Sequence, residues 1–373
     1  MPAKIESIFC CPLCKGELTA IADDSVSRGA VELVAVEHVG NGYFCGICNR
    51  DYPEVAGIVD FRICEDPYID IPADRSKALR IAGEADRLTF EELVAYYYSI
   101  TPEVPDDLGR HYLNHHVAGV KRGEGILNRM RTYQLSKQAE PGVDLLDLGC
   151  GTGGFLAAAS ARGAACVGAD IALRWLVIAR SRFRDLNCSD ITLVCACADH
   201  LPFVANSFDV VLAENLIEHC SDTTKLLSEI KRIRRSGGAF LARTINRFAM
   251  GPEPHVGVWG VGYLPRRLMN GYVQLVKGIP YEHIHLESFG SLDLSIQKVG
   301  DASLETKVPL ITEADYAHHP QWKQQLFKLY SGMMRMPILG SLICHLGPYI
   351  DVATHPSERT TNNSVSDENA IYR

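Results

Sequence analysis

The chain predicts a doubly wound α/β fold with a mostly parallel, seven-stranded sheet. Three observations carry that expectation. Short apolar runs alternate with helix-period segments between residues 143 and 245, the pattern of strand–helix–strand units with right-handed crossovers. The first of those runs, Val143 to Leu148, enters a glycine turn and then a helix. Acids stand at the ends of three successive runs, Asp147, Asp170 and Asp199. Such sheets bind ligands outside the carboxyl ends of their strands.

From the N-terminus, residues 1–62 read as a separate small module. Cys11-Pro-Leu-Cys14 and Cys45-Gly-Ile-Cys48 are two CxxC pairs. Four thiolates in two close pairs supply the tetrahedral sulfur site that zinc favours. The thirty residues between the pairs exceed the compact zinc spacings, and the alternating segment Ala30 to Val39 is expected to fill the gap as a strand. So small a module rarely has the core to fold alone, so a structural Zn2+ would staple it. A redox pair, or incidental buried thiols, is the competing reading. Cys10 and Cys64 have no partner at ligand spacing.

Residues 63–75, with Pro67 and Pro72, read as a linker. Ser76 to about Gln138 is helical with breaks at Thr101–Pro105 and Gly119–Gly125, so 63–138 is expected to be a linker and a helical lid. Three successive tyrosines, Tyr96 to Tyr98, cannot share one helix face. Packing with some surface exposure and a substrate lid are both open readings of them, of Tyr112 and of the His115–His116 pair.

Residues 139–356 form the expected sheet domain. Its strands are Val143–Leu148, Ala165–Ala169, Ile191–Ala198, Phe208–Ala213 and Gly238–Ile245, and its helices Gly154–Arg162, Ala172–Leu186 and Asp222–Arg234. Residues 246–290 read as an insertion rich in Gly, Pro, aromatics and His, including Trp259, Tyr263 and Tyr281. Long irregular connections are usually functional or disordered, and the aromatic content argues for function as a substrate cap. His255, His283 and His285 within it do not show metal spacing. A helix and a strand (Leu304 to Ile311) follow, then a helical piece from Ala314, an apolar stretch Lys328 to Leu346 read as core, and a last antiparallel strand, Pro348 to Thr354. Residues 357–373 read as a flexible tail.

The chemistry concentrates at the turn. Gly149-x-Gly151-x-x-Gly154 matches the dinucleotide fingerprint, with Asp170 near the distance of a ribose-binding acid. Asp147 argues the other way: a carboxylate there would repel a pyrophosphate and suit an ammonium or sulfonium group. S-adenosylmethionine carries both cations and no phosphate. Asp170 can accept both ribose hydroxyls. Asp199 can accept from the adenine amine, with the next backbone N–H groups reading the ring. Each acid is also a plausible helix N-cap.

Asp147-Leu-Gly-Cys-Gly-Thr-Gly-Gly154 resembles the first motif of class I S-adenosylmethionine-dependent methyltransferases. Val167-Gly-Ala-Asp170, Ala198-Asp-His-Leu-Pro-Phe203, Ser207-Phe-Asp-Val-Val-Leu212, Ile217-Glu-His219 and Gly237-Gly-Ala-Phe240 follow in the order of the methyltransferase type 11 branch. The resemblance covers roughly 140 to 245. It implies a Rossmann-like methyltransferase fold with cofactor contacts from Asp147, Gly149, Gly151, Gly153, Asp170, Ile171, Asp199, His200 and Glu214, the methyl group emerging near Glu214 and Asn215. His219 is a candidate general base or a structural histidine. No Asn/Asp-Pro-Pro-aromatic segment follows the fourth strand, which counts against amino-methylating nucleic-acid enzymes of that type. Cys11 to Leu18, Phe44 to Cys48 and Asp51 to Phe61 resemble the short zinc-ribbon proteins that accompany methyltransferases, with Val59 in place of a proline.

The chain is 47% hydrophobic and 22% charged, a mix that can bury a large core. A net charge of −8 disfavours a broad nucleic-acid surface. No signal-peptide pattern and no run of apolar residues long enough to span a membrane is found. Thirteen cysteines, several in expected strands, suit a reducing cytoplasm with thiols and metal ligands rather than disulfides. The expected activity is methyl transfer to a small-molecule acceptor, a biosynthetic intermediate or a glycan or lipid precursor. An RNA methyltransferase using the ribbon, a non-catalytic scaffold and a nicotinamide oxidoreductase are the rivals. The sequence does not give the oligomeric state.

Overall fold

The computed structural model describes residues 8–21, 41–135, 140–188, 190–309, 321–334, 336, 339–340 and 343–355. The expected strand Ala30 to Val39, the helical start at Ala314 and the tail 357–373 lie outside them. The chain divides into two compact units, 1–126 with 139–212 and 228–238, and 127–138 with 213–227 and 239–373.

In the first unit, β1 (Thr19–Ile21), β2 (Gly42–Cys45), β3 (Arg50–Val55) and β4 (Ile58–Asp60) form an antiparallel ribbon. The helices α1 (Ile71–Ala85), α2 (Phe90–Ser99), α3 (Asp106–Val117) and the first part of α4 (Gly119–Thr132) follow. Then come β5 (Asp144–Leu148), α5 (Gly154–Ser160), β6 (Ala165–Asp170), α6 (Leu173–Asp185) and β7 (Ile191–Cys195). Sheet order runs β1-β2-β3-β4-β7-β6-β5, then the parts of β8 (Phe208–Glu214) and β9 (Arg234–Ile245) that belong to this unit. The β5–β6 and β6–β7 pairs are parallel, as the alternation predicts. These strands read apolar along their whole length because helices cover such sheets on both faces.

The N-terminal module does not stand apart. β4 pairs in parallel with β7, Val59 opposite Val194 and Asp60 opposite Cys195, so the ribbon continues the central sheet. Cys10 N–H also donates to Pro202 O at 3.0 Å, and Val204 N–H to Ile8 O at 2.8 Å. Phe9, Tyr43, Tyr52, Phe61 and Phe203 pack together, with paired ring centroids 5.2–6.0 Å apart. The boundary read at residue 62 falls inside a buried ion network. Arg62 bonds Asp60 (2.7 Å) and Asp74 (2.8 Å), Arg75 bonds Asp60, and Arg174 bonds Asp74 and Asp66. Burial alone would raise the Asp60 carboxyl; Arg62 and Arg75 outweigh it and hold it below its usual range.

The expected linker is shorter than its prolines suggest. α1 starts at Ile71, with Asp70 accepting from Ala73 N–H at 2.8 Å and Pro72 in the first turn, where its missing N–H costs nothing. The break at Thr101–Pro105 is present. α4 runs unbroken through Gly123 and Gly125, so the second expected break reduces to Ala118, the C-cap of α3. Cys64 is disulfide-bonded to Cys197, a correction to the reading of thiols alone. Their Cα atoms lie 6.6 Å apart across a sequence separation of 133, which no local spacing signals.

The second unit holds the ends of β8 and β9, then β11 (Tyr349–Thr354) beside β9 and β10 (Leu304–Lys307) outermost, both antiparallel. Its helices are the end of α4, α8 (Arg266–Lys277), α9 (Phe289–Val299) and α10 (Gln321–Met334); α7 (Thr223–Ile233) is shared with the first unit. The segment 246–290 is folded, not irregular throughout: Val258, Val261, Met269, Val273 and Tyr281 make a small core under α8. Among the described residues no helix is long and apolar enough to cross a membrane.

Candidate functional site

The glycine turn forms because the backbone after β5 must take left-handed conformations. Gly149, Gly151 and Gly153 have φ of +72°, +49° and +71°. A side chain on Gly153 would also collide with the Phe183 ring. Gly149 N–H donates to Ala169 O at 2.8 Å, which ties the turn to the end of β6. Asp170 completes the tie: its two oxygens accept from Gly151 N–H and Ala172 N–H, both at 2.8 Å. Each oxygen keeps a second lone pair, so the carboxylate remains able to accept from a diol. Asp147 is buried near the end of β5. Asp199 follows β7, half-buried, 3.0 Å from His200 Nδ1. Ile171, directly after Asp170, has its carbonyl held by Arg62 Nη1 at 3.1 Å. The first unit thus brings together the three acids' strand ends and the turn.

These residues fit an S-adenosyl nucleoside. A Cβ on Gly151 would meet nothing within 4 Å, so the turn presents open backbone to a ligand.

The helices expected as a lid touch the turn, and of the groups involved Thr152, Trp175 and Arg182 were not singled out in the sequence. His116 Nδ1 lies 3.2 Å from Thr152 Oγ1 and its Nε2 3.2 Å from Tyr98 OH. Arg182 donates to Thr152 O at 2.7 Å and to His116 O at 2.7 Å. Tyr98, His116 and Trp175 form one aromatic cluster with Tyr97 and Tyr112. Tyr97 is the buried member of the tyrosine run; Tyr96 and Tyr98 are half-buried. Burial, then His115, Arg182 and Arg122, depress the His116 imidazole to about 3.

That depression has a signed consequence. A histidine whose folded value lies below its unfolded value of ~6.5 withholds stability as pH falls between the two. The lid should therefore loosen from pH 6.5 downward, by at most about 2 kcal/mol at pH 5. His116→Asn should flatten that part of the profile, checked by comparing the pH 5 and pH 7 melting temperatures of both proteins. An unchanged difference between the two pH values would refute it.

In the second unit Glu214 ends β8 and pairs with Arg129 of α4, a buried arginine that sequence reading passed over. Asn215 has φ +50° and donates to Arg243 O at 2.8 Å. Arg129 and Arg243 share Asp351, with Arg243 Nε 2.7 Å from it, and Tyr133 OH donates to the same carboxylate at 2.6 Å. Glu218 is fully buried, and burial pushes its carboxyl up to about 7 against the Thr244 hydroxyl, its own backbone N–H and His255. His219 is half-buried beside the His255 ring, with centroids 5.1 Å apart.

The four module cysteines do converge. Cys11 Sγ lies 3.8 Å from Cys48 Sγ, and Cys14 Sγ 3.6 Å from Cys45 Sγ. All four sulfurs lie within 4.8 Å of one another. Zinc with four bonds of ~2.3 Å holds its sulfurs about 3.8 Å apart, so the donor set and its spacing fit that ion. Tyr52 OH, 3.2 Å from Cys11 Sγ, supplies a hydrogen bond from outside the ligand set. Cys10 lies outside the cluster and is buried. The double variant Cys11→Ser, Cys48→Ser should lose about one zinc per chain and melt lower, read by elemental analysis and calorimetric melting. Full zinc occupancy in that variant would mean another ligand set.

The α/β unit thus carries a glycine turn after β5 with acids at the neighbouring strand ends. Residues 146–242 match the family described as methyltransferase domain (type 11). Sterol 4-C-methyltransferase strm-1 of Caenorhabditis elegans is 27% identical over 154 residues, 40% of this chain and 46% of that protein. A ubiquinone biosynthesis O-methyltransferase of Cereibacter sphaeroides is 36% identical over 133 residues, 34% of this chain and 51% of that protein. Among solved structures, a methyltransferase from Mesorhizobium loti aligns at TM-score 0.42 and 20% identity, over 60% of this chain and 96% of that one. The chain spans about half the length of these two curated relatives.

Proposed function

We propose that this chain transfers a methyl group from S-adenosylmethionine to a small-molecule acceptor. The observation that carries the reading is the turn after β5, with Asp147 behind it and Asp170 bonded to Gly151 N–H. An anionic rim suits a cationic amino-acid nucleoside and repels a pyrophosphate. When bound, the cofactor supplies an electrophilic methyl on a sulfonium. The chain's own residues orient and cover it. Asp170 is assigned to the ribose hydroxyls, Asp199 and His200 to the adenine, Ile171 to the base's flank, and Gly149, Gly151 and Gly153 to close backbone approach. Glu214 is assigned to the cofactor, at the end where its methyl group emerges, and His219 is the candidate base where the acceptor starts protonated.

The names of the relatives, which include sterol and ubiquinone-biosynthesis methyltransferases, support an acceptor of the lipid-precursor kind. The net charge of −8 supports a small molecule over a nucleic acid, and the reading places the enzyme in the cytoplasm. The zinc cluster is read as structural. Titration calorimetry tests the proposal: S-adenosylmethionine or its demethylated product should bind and NAD should not. Tighter binding of NAD than of both would overturn it.

A further inference from the structure

Glu218, His219 and His255 form a second cluster of metal-ligating side chains, all in the second unit and unrelated to the cysteines. Their ligand atoms lie within 4.8 Å of one another. Glu218 has no exposed surface, and its Oε2 accepts from Thr244 OH at 2.7 Å while its Oε1 has no hydrogen-bond partner. A buried carboxylate oxygen left without a partner is costly and calls for an occupant. His255 is pinned from behind: its Nδ1 sits 2.6 Å from Glu253 Oε1, which leaves Nε2 as the free ligand atom. Glu253 is itself buried and held, its Oε2 accepting from Val256 N–H at 2.9 Å. A carboxylate behind a histidine, fixing ring and tautomer, is the usual outer partner of a metal-bound imidazole. The Glu218 loop is fixed as well, because its carbonyl accepts from His285 N–H at 2.7 Å.

We propose that Glu218 Oε1, one imidazole nitrogen of His219 and His255 Nε2 bind a first-row divalent metal ion. Two imidazoles and one carboxylate leave coordination positions open, the donor set of zinc hydrolases and of non-haem iron sites. Bonds of ~2.1 Å hold such ligand atoms roughly 3–4 Å apart, so the trio needs a closure on the order of 1 Å. An oxygen-bearing ligand would fill the open positions. The site rests on geometry within one unit and does not depend on the methyl-transfer reading, but it replaces the candidate-base role of His219, whose imidazole would be a ligand.

Cobalt(II) titration of chelator-stripped protein separates this site from the cysteine cluster. Thiolate-bound cobalt shows intense sulfur-to-metal charge transfer, and an oxygen–nitrogen site shows only weaker visible bands. Wild type should take up an equivalent of the second kind. Glu218→Gln and His255→Ala should each weaken that equivalent at least tenfold with the charge-transfer band unchanged, and Glu253→Gln about tenfold, the range for an outer partner. His255 is an exposed residue, so its variant reports even where Glu218→Gln misfolds. Uptake limited to the thiolate signal would overturn the proposal. A second equivalent that persists unchanged in both variants would overturn it equally.

Discussion

Arg62→Ala should lower the melting temperature of the protein by roughly 6–12 °C, for a loss of about 3 kcal/mol at ~2–4 °C per kcal/mol. Arg62, Asp60 and Asp74 have no side-chain exposure, so water cannot replace the missing guanidinium. Removing one member of a buried ion network costs about 3–5 kcal/mol, mostly because the remaining charges lose their partner. The low end applies because Arg75 still holds Asp60 and Arg174 still holds Asp74. The same guanidinium caps the carbonyl of Ile171, beside Asp170, so nucleoside affinity should fall along with stability. Cys11→Ser with Cys48→Ser leaves that contact in place and should weaken the nucleoside less than Arg62→Ala does. A shift below 2 °C in calorimetric melting of Arg62→Ala would show that the network contributes little.

Asp170→Ala should weaken S-adenosylmethionine by about 1.5–3 kcal/mol, roughly 10- to 150-fold, the range for hydrogen bonds to a charged group. Two losses add in the same direction. The diol loses its acceptor, and Gly151 and Ala172 lose the oxygens that fix their N–H groups. Asp170→Asn separates them, since the amide keeps one acceptor oxygen for the backbone but carries no charge. Calorimetry should place Asn between wild type and Ala. Affinity within threefold of wild type for Ala would remove Asp170 from the nucleoside site.

Most of the turn was legible in the sequence, and so were the acids around it. Leu145 to Phe155 announces a strand, a turn and a helix within eleven residues, because the need for positive φ at Gly149, Gly151 and Gly153 is a local property of the chain. The alternation of apolar runs likewise gave the parallel strands β5 to β7 and the antiparallel strand at Tyr349–Thr354. The linker was over-read because Pro72 signals a break in isolation yet suits the first turn of α1.

What the sequence determined by itself is the chemistry that local patterning encodes: two close cysteine pairs, a glycine turn, and carboxylates at strand ends. Only the tertiary structure decided how these parts are joined. β4 found a partner in β7, which merged the ribbon with the central sheet. Arg62 met Asp74 and Ile171, His116 met Thr152, Cys64 met Cys197, and Glu218 met His255. Each of those contacts joins residues from 12 to 133 positions apart. Packing selects such pairs from everything the fold brings near, and nothing in the spacing of one chain records that choice. His255 shows the difference most plainly. Read along the chain, it was one of three histidines without metal spacing. In the fold, it stands beside a buried carboxylate with one oxygen left without a hydrogen-bond partner, because proximity in space, not in sequence, makes a coordination site.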